Sequence, residues 1–163
     1  MNYDIVFESD RINYVKVNEK LIDDYLTMIN DEDVQKFISH ERKDYTYESE
    51  LEWIKERLDN NDMIFSMIEK DTNEFIGNIE IMNIKDNVGE VGISITPKKQ
   101  NKHYGQEALK RIIKYSDEEL KLEGLELNVY SFNSRGIKCY ENVGFVKAGP
   151  GKTYDDIHMV LKK

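Results

Sequence analysis

The stretch Ile95-Thr-Pro-Lys-Lys-Gln-Asn-Lys-His-Tyr-Gly-Gln-Glu-Ala-Leu109 decides how this chain is read. An apolar run from Val91 to Ile95 stops at Pro97. A short basic loop follows, and helical periodicity begins near Tyr104 and continues through Ala108, Ile112 and Tyr115. Strand, loop and helix in that order aim unpaired N–H groups and the positive end of a helix at one point. Such a point takes an anion, most naturally a phosphate. Lys98, Lys99, Lys102 and His103 add positive charge, and no acid occurs between Glu90 and Glu107. In a chain of 163 residues and net charge −9, this basic island is the clearest chemical signal.

Upstream of the loop the period is two. Met63–Ile68, Phe75–Met82 and Glu90–Thr96 read as strands of an antiparallel meander, turning at Asp71–Glu74 and again between Asn83 and Gly89. On the third of these, Val91, Ile93 and Ile95 face one way and Glu90, Gly92 and Ser94 the other. Further back, Arg11–Val17 reads as a first strand. Asn18 then caps a helix whose apolar face is Leu21, Ile22, Tyr25, Leu26 and Ile29. A short helix over Glu32–Ile38, a polar loop from Ser39 to Tyr47 and a helix capped by Thr46 follow. Leu51, Ile54 and Leu58 are the expected buried stripe of that last helix, with Trp53 packed beside it.

Downstream, the helix from Tyr104 is expected to run to Leu122, with Gly124 as its stop signal. Leu125–Tyr130 is a strand reached through a helical crossover and so parallel to its neighbour. A helix over Ser134–Val143, capped by Asn133 or Ser131, precedes two final strands, Phe145–Ala148 and Tyr154–Leu161, joined at Gly149-Pro-Gly151. The order predicts one α/β (α+β) domain over residues 1–163, with flanking helices on a mixed central sheet of about seven strands.

Composition narrows the function classes. The acidic balance argues against nucleic acid as a partner and is compatible with a cationic substrate. No apolar run is long enough to span a membrane, and the N-terminus does not read as a signal peptide. Cys139 is the single cysteine, which points to the cytoplasm and leaves no internal disulfide. Three scattered histidines make neither a zinc site nor a catalytic triad, and no metal is expected.

Three blocks resemble the GNAT-type N-acetyltransferases, in the branch of the ribosomal-protein N-terminal and spermidine acetyltransferases. The first is Ile93-Ser-Ile-Thr-Pro followed by Gln100-Asn-Lys-His-Tyr-Gly-Gln-Glu-Ala-Leu109. The second is Asn133-Ser-Arg-Gly-Ile-Lys-Cys-Tyr-Glu-Asn-Val-Gly-Phe145, and the third is Tyr154-Asp-Asp-Ile-His-Met159. The resemblance implies a GNAT-like fold and acetyl-CoA as cosubstrate. Pantetheine would pair with backbone at Ile93, Ser94 and Ile95. The diphosphate would lie on N–H groups from Gln100, Asn101, Lys102, His103, Tyr104, Gly105 and Gln106, and Asn133 would reach the cofactor. His103 stands where the family carries the first glycine of its loop. A histidine is tolerated there on condition of a negative φ and a ring turned outward; a ring facing the diphosphate is the other reading.

The acceptor implied is a primary amine on a small molecule or peptide: a protein N-terminus, a polyamine, an amino acid or an amino sugar. Its nitrogen must lose a proton to attack directly in a ternary complex. Glu90 matches the position of a family base, for which a raised pKa would be suitable; a structural carboxylate at a strand start is the other reading. Tyr140 matches the family's acid, which would protonate the departing thiolate; a core tyrosine is the other reading. Asn133 and Tyr140 share a helix face, about two turns apart. Cys139 points elsewhere and reads as packing. A catalytically weakened CoA-binding sensor or interaction module is the alternative function, kept open by His103. Family resemblance suggests a monomer or a homodimer.

Overall fold

The computed structural model of the chain describes residues 3–162. Its elements in order are β1 (Ile5–Glu8), β2 (Ile12–Lys16), α1 (Ile22–Ile29), α2 (Glu32–Gln35), α3 (Tyr47–Asp59), β3 (Met63–Glu69), β4 (Phe75–Lys85) and β5 (Val88–Ile95). Then come α4 (Tyr104–Glu118), β6 (Gly124–Tyr130), α5 (Ser134–Asn142), β7 (Val146–Pro150) and β8 (Asp156–Lys162). Among the described residues the strands form one eight-stranded mixed sheet in the order β1-β2-β3-β4-β5-β6-β8-β7. The class is the one expected, with one strand more. β1 is the addition: Ile5-Val-Phe7 is too short a run to show a period, and it pairs antiparallel with β2.

The chain divides into two compact units. The first holds everything up to Glu80 together with Ile93–Tyr104. Its core gathers Val15, Val17, Leu21, Ile22, Tyr25, Met28, Val34, Ile54, Ile64, Ile68 and Phe75. Asn18 caps a single 3-10 turn, Glu19–Leu21, and α1 starts only after it. Thr46 and Ser49 form a reciprocal capping box at the start of α3. In α3, Ile54 is fully buried but Leu58 is exposed, so the expected stripe is shorter than the spacing suggested. Trp53 meets the Tyr25 ring edge-on at 5.8 Å, a packing role. The helix expected over Glu32–Ile38 stops at Gln35. Gln35 is buried, and its side-chain amide donates to the carbonyls of Ile29 and Lys43 and accepts from the Lys43 N–H. That residue therefore ties down the polar loop.

The second unit holds Ile81–Gly92 and everything from Gly105 onward. The connection at Asn83–Gly89 is tighter than expected: β4 continues to Lys85, and Asp86 and Asn87 both take positive φ, the geometry of a two-residue hairpin turn. β6 lies parallel to β5 in the register Val88↔Gly124, Gly89↔Leu125, Glu90↔Glu126, as the crossover rule requires. α4 ends at Glu118, earlier than Leu122, and Gly124 opens β6 instead of stopping the helix. β8 inserts between β6 and β7 and is antiparallel to both.

The loop before α4 is held by charge. Lys99 is almost completely buried in the first unit, and its ammonium donates to Glu74 at 2.7 Å and Glu69 at 3.2 Å. Burial alone would lower the Lys99 pKa, but the hydrogen bonds to Glu74 and Glu69 outweigh it and hold it raised. Hydrogen bonds from Thr72, then Tyr104 and Lys99, pull Glu69 down to about 2. Lys99 thus does not serve the anion site as its place in the basic run suggested.

A depressed carboxylate contributes stability above its unfolded pKa and loses it as pH falls through the folded one. The Glu69 contribution is therefore expected to disappear between pH 4.5 and about 2. In circular-dichroism melts across that range, Glu69→Gln should start less stable than the parent and fall less steeply. Two parallel curves would contradict this.

Candidate active site

Within the first unit, the chain from Ile93 to Tyr104 presents backbone, not side chains. The Ser94 carbonyl faces Gly77 of β4 so closely that a Cβ on Gly77 would lie 2.0 Å from it. The Thr96 N–H donates to Ile76 at 2.8 Å. Peptide groups alternate sides along a strand, so those of Ile93 and Ile95 point away from β4. That is the orientation required for strand-like pairing with an extended ligand such as pantetheine. The Gln100 side chain donates to the Ile95 carbonyl at 3.0 Å and closes the turn.

Asn101 and His103 both lie in the left-handed region, at φ 62 and 64, with Lys102 between them on the negative side. The negative φ expected at His103 is therefore corrected: histidine adopts the conformation that glycine would supply, and its side chain is exposed. Histidine, with Asn and Asp, is among the side chains that visit this region most readily. Alternating φ signs turn successive N–H groups into one concavity, a nest for an anion. The N–H groups of Asn101, Lys102 and His103 have no hydrogen-bond partner among the described residues. Tyr104 begins α4, whose first N–H groups have no intrahelical acceptor. The loop therefore fits a diphosphate by its own conformation.

Arg11 completes the support from β2's leading edge. Its Nη1 donates to the Lys102 carbonyl at 3.1 Å, and its guanidinium lies 4.2 Å from the Tyr104 ring centre. The Tyr104 hydroxyl in turn donates to Glu69. Burial first, and then this bond, push the Tyr104 hydroxyl up to about 12. Sequence reasoning missed Arg11 and Glu69 because their partners are distant in the chain.

In the second unit, Glu90 is shielded, with its side chain 12% exposed. Asn83 Nδ2 and Lys152 Nζ each donate to Glu90 Oε1 at 3.1 Å. Burial is the largest single influence and pushes the carboxyl up. The hydrogen bonds from Asn83, Lys152 and Asn128, with the Lys152 charge, together hold it below the usual glutamate range. The raised pKa considered for Glu90 is thus corrected to a lowered one. Neither Asn83 nor Lys152 carried a motif, so neither was legible.

Asn133 is the cap of α5, its Oδ1 accepting from the Gly136 N–H at 3.0 Å. A Cβ on Gly136 would come within 2.5 Å of the Asn133 amide, so the glycine makes room for the cap. Tyr140 lies about two turns along the same helix. Its ring meets Phe145 edge-on at 6.1 Å. Burial, and the adjacent Cys139, push its hydroxyl well above the ordinary tyrosine range. That hydroxyl makes no hydrogen bond to the described residues, and it is not one of the fully buried unpartnered atoms, since Tyr140 is only partly buried. Burial likewise raises the Cys139 thiol, which keeps it from being a ready nucleophile. Gly105 and Gln106 occupy the first turn of α4 and are partly buried.

Residues 11–146 match the acetyltransferase (GNAT) domain family. The acetyltransferase PseH of Campylobacter jejuni is 26% identical over 151 residues, which is 93% of this chain and 92% of that protein. An uncharacterized N-acetyltransferase, YokL, derived from the SPbeta prophage of Bacillus subtilis is 28% identical over 100 residues, 60% of this chain and 56% of that one. Among solved structures, the spermidine N-acetyltransferase of Vibrio cholerae, in complex with CoA and spermine, superposes with a TM-score of 0.83 at 20% identity. The match covers 93% of this chain and 95% of that one. A GNAT-family acetyltransferase from Bacillus anthracis gives a TM-score of 0.85 at 21% identity, covering 95% and 96%. A family match over most of the chain, on this fold and this loop, means that the chain belongs to the GNAT family of acetyl-CoA-dependent N-acetyltransferases.

Proposed function

We propose that the chain acetylates a primary amine that carries further positive charge, a polyamine first among those the family takes, with Glu90 as proton acceptor and Tyr140 as proton donor. The observation that carries the reading is the anion nest of Asn101, Lys102 and His103 at the start of α4. Acetyl-CoA supplies the activated acetyl group. The residues that would hold it are Ile93, Ser94 and Ile95 through their backbone, Gln100 to Gln106 around the diphosphate, and Asn133. The whole chain acts as one catalytic domain, since the family match runs through residues of both units.

The incoming nitrogen is protonated at neutral pH and must shed a proton before it attacks. A carboxylate held ionised, as Glu90 is, attracts an ammonium; its lowered pKa makes it a weaker base, so it takes the proton only in passing, directly or through water, on the way to solvent. The departing thiolate needs a proton, and the absence of a competing acceptor for the Tyr140 hydroxyl supports it as the donor. The net charge of −9 and the spermine held by the Vibrio cholerae neighbour both support a cationic acceptor. Every group named lies on this chain, so the reading needs no partner subunit, in a monomer or a homodimer alike. The lone Cys139 supports a cytoplasmic setting.

The test is a thiol-release assay with acetyl-CoA and spermidine, spermine, free amino acids, amino sugars and short peptides. Release should be fastest with the polyamines. CoA binding without release for any amine would instead leave only a binding module, which neither the family nor the site favours. Tyr140→Phe should lower kcat by about 100-fold while acetyl-CoA affinity by calorimetry stays within about twofold; an unchanged kcat would remove Tyr140 from the chemistry. His103→Gly relieves a left-handed side chain worth about 1 kcal/mol, so acetyl-CoA should bind as well or better. A tenfold loss of affinity would make the imidazole itself a phosphate ligand.

A further inference from the structure

One of the hydrogen-bond donors to Glu90 has the same chemistry as the molecules the enzyme modifies. Lys152 is a primary amine on the turn between β7 and β8, and its Nζ lies 3.1 Å from Glu90 Oε1. Its side chain is 65% exposed, against 12% for Glu90. An ammonium thus reaches in from solvent to a shielded carboxylate, which is the approach an external cationic amine would make. The turn is built for this reach. A Cβ at Gly151 would lie 2.4 Å from the Asp156 Cβ and 2.9 Å from Asn128 Oδ1. The Gly151 N–H donates to the Asp156 carbonyl at 2.9 Å. Residue 151 therefore packs flush against β6 and β8, and that fixes where Lys152 leaves the backbone.

We propose that Lys152 is an internal acceptor: the enzyme acetylates its own Lys152 Nζ, and the modification releases Glu90. The inference rests on the reading of Glu90 as the group that receives the amine. In the step, Glu90 takes one proton from the Lys152 ammonium, and the neutral nitrogen forms a bond to the thioester carbonyl carbon. The carbon–sulfur bond breaks, and the sulfur leaves with the electron pair. A second proton lost from nitrogen is balanced by one delivered to the thiolate, with Tyr140 as its donor. The products are Nζ-acetyl-lysine and CoA thiol, and the proton on Glu90 returns to solvent. The amide so formed carries no charge. Glu90 then loses its ion pair and is open to an external ammonium.

The experiment uses the purified full chain with acetyl-CoA and no added amine, followed by intact mass and peptide mapping. One acetyl group should accumulate on Lys152, about 100-fold faster than on any other lysine, at a rate independent of protein concentration. Glu90→Gln and Tyr140→Phe should each slow that labelling by about 100-fold. Labelling of Lys152 at the pace of other exposed lysines, or equally in Glu90→Gln, would overturn the proposal. So would a rate that rises with protein concentration, because transfer would then run between molecules. The amine panel separates the two readings. Thiol release with polyamines but no preferred labelling of Lys152 overturns this inference alone. Preferred labelling without release for any external amine supports it and removes the external substrate.

Discussion

A lysine almost wholly withdrawn from water sets the geometry on which the rest depends. Taking an ammonium out of solvent costs several kcal/mol unless its charge is met. Lys99 is met twice, by Glu69 and Glu74. Moving the ammonium away from both carboxylates would leave its charge uncompensated, so the chain has little freedom to place the loop elsewhere. Gln100 is stitched to Ile95 on one side, and Tyr104 to Glu69 on the other. Between these fixed points Asn101 and His103 are held in a left-handed conformation that costs most side chains about 1–2 kcal/mol and these two less. The strain persists because the flanking contacts over-determine it. Its product is a row of N–H groups aimed at one place.

Charge and backbone therefore divide the work. Basic side chains in the loop invite assignment as phosphate ligands, yet Lys99 is structural and Lys102 offers its carbonyl to Arg11. The peptide groups of Asn101, Lys102 and His103 are the donors whose direction the fold itself sets. Preorganised dipoles do not have to reorient when the ligand arrives, which is where their advantage over flexible lysines lies. In the second unit the contrast is between two oxygens. Glu90 is surrounded by donors and stays ionised, whereas Tyr140 has no acceptor and keeps its proton. Their environments hold the carboxyl below its ordinary range and the hydroxyl above its own, which is the contrast the proposed roles of acceptor and donor rest on.

What the sequence disclosed was whatever local pattern controls. The alternation of β3 to β5, the capping roles of Thr46 and Asn133, the parallel pairing of β6 and the start of α4 at Tyr104 all follow from neighbours close in the chain. The family blocks carried the family itself, and they are the source of the proposed roles of the loop and of Tyr140. Long-range partners stayed hidden. Arg11 meets Lys102, Lys99 meets Glu69, and Lys152 meets Glu90 across intervals that no periodicity spans. The Asp86-Asn87 turn was misjudged because its lack of glycine hid the positive φ that both residues accept. The His103 conformation was misjudged for the same reason: a side chain was assumed to forbid what Arg11 and Gln100 enforce around it.

The two outermost strands carry a last consequence. Among the described residues, β1 and β7 each leave one row of peptide groups without a sheet neighbour, the usual invitation to edge-to-edge pairing of chains. Each is interrupted: β1 by an irregularity between Ile5 and Phe7, and β7 by one between Lys147 and Gly149, with Pro150 lacking an N–H altogether. Ribbons broken in this way make poor templates for a foreign strand. Beside the exposed Ile5 and Val6, the interrupted edge thus offers a foreign strand little continuous backbone to pair with.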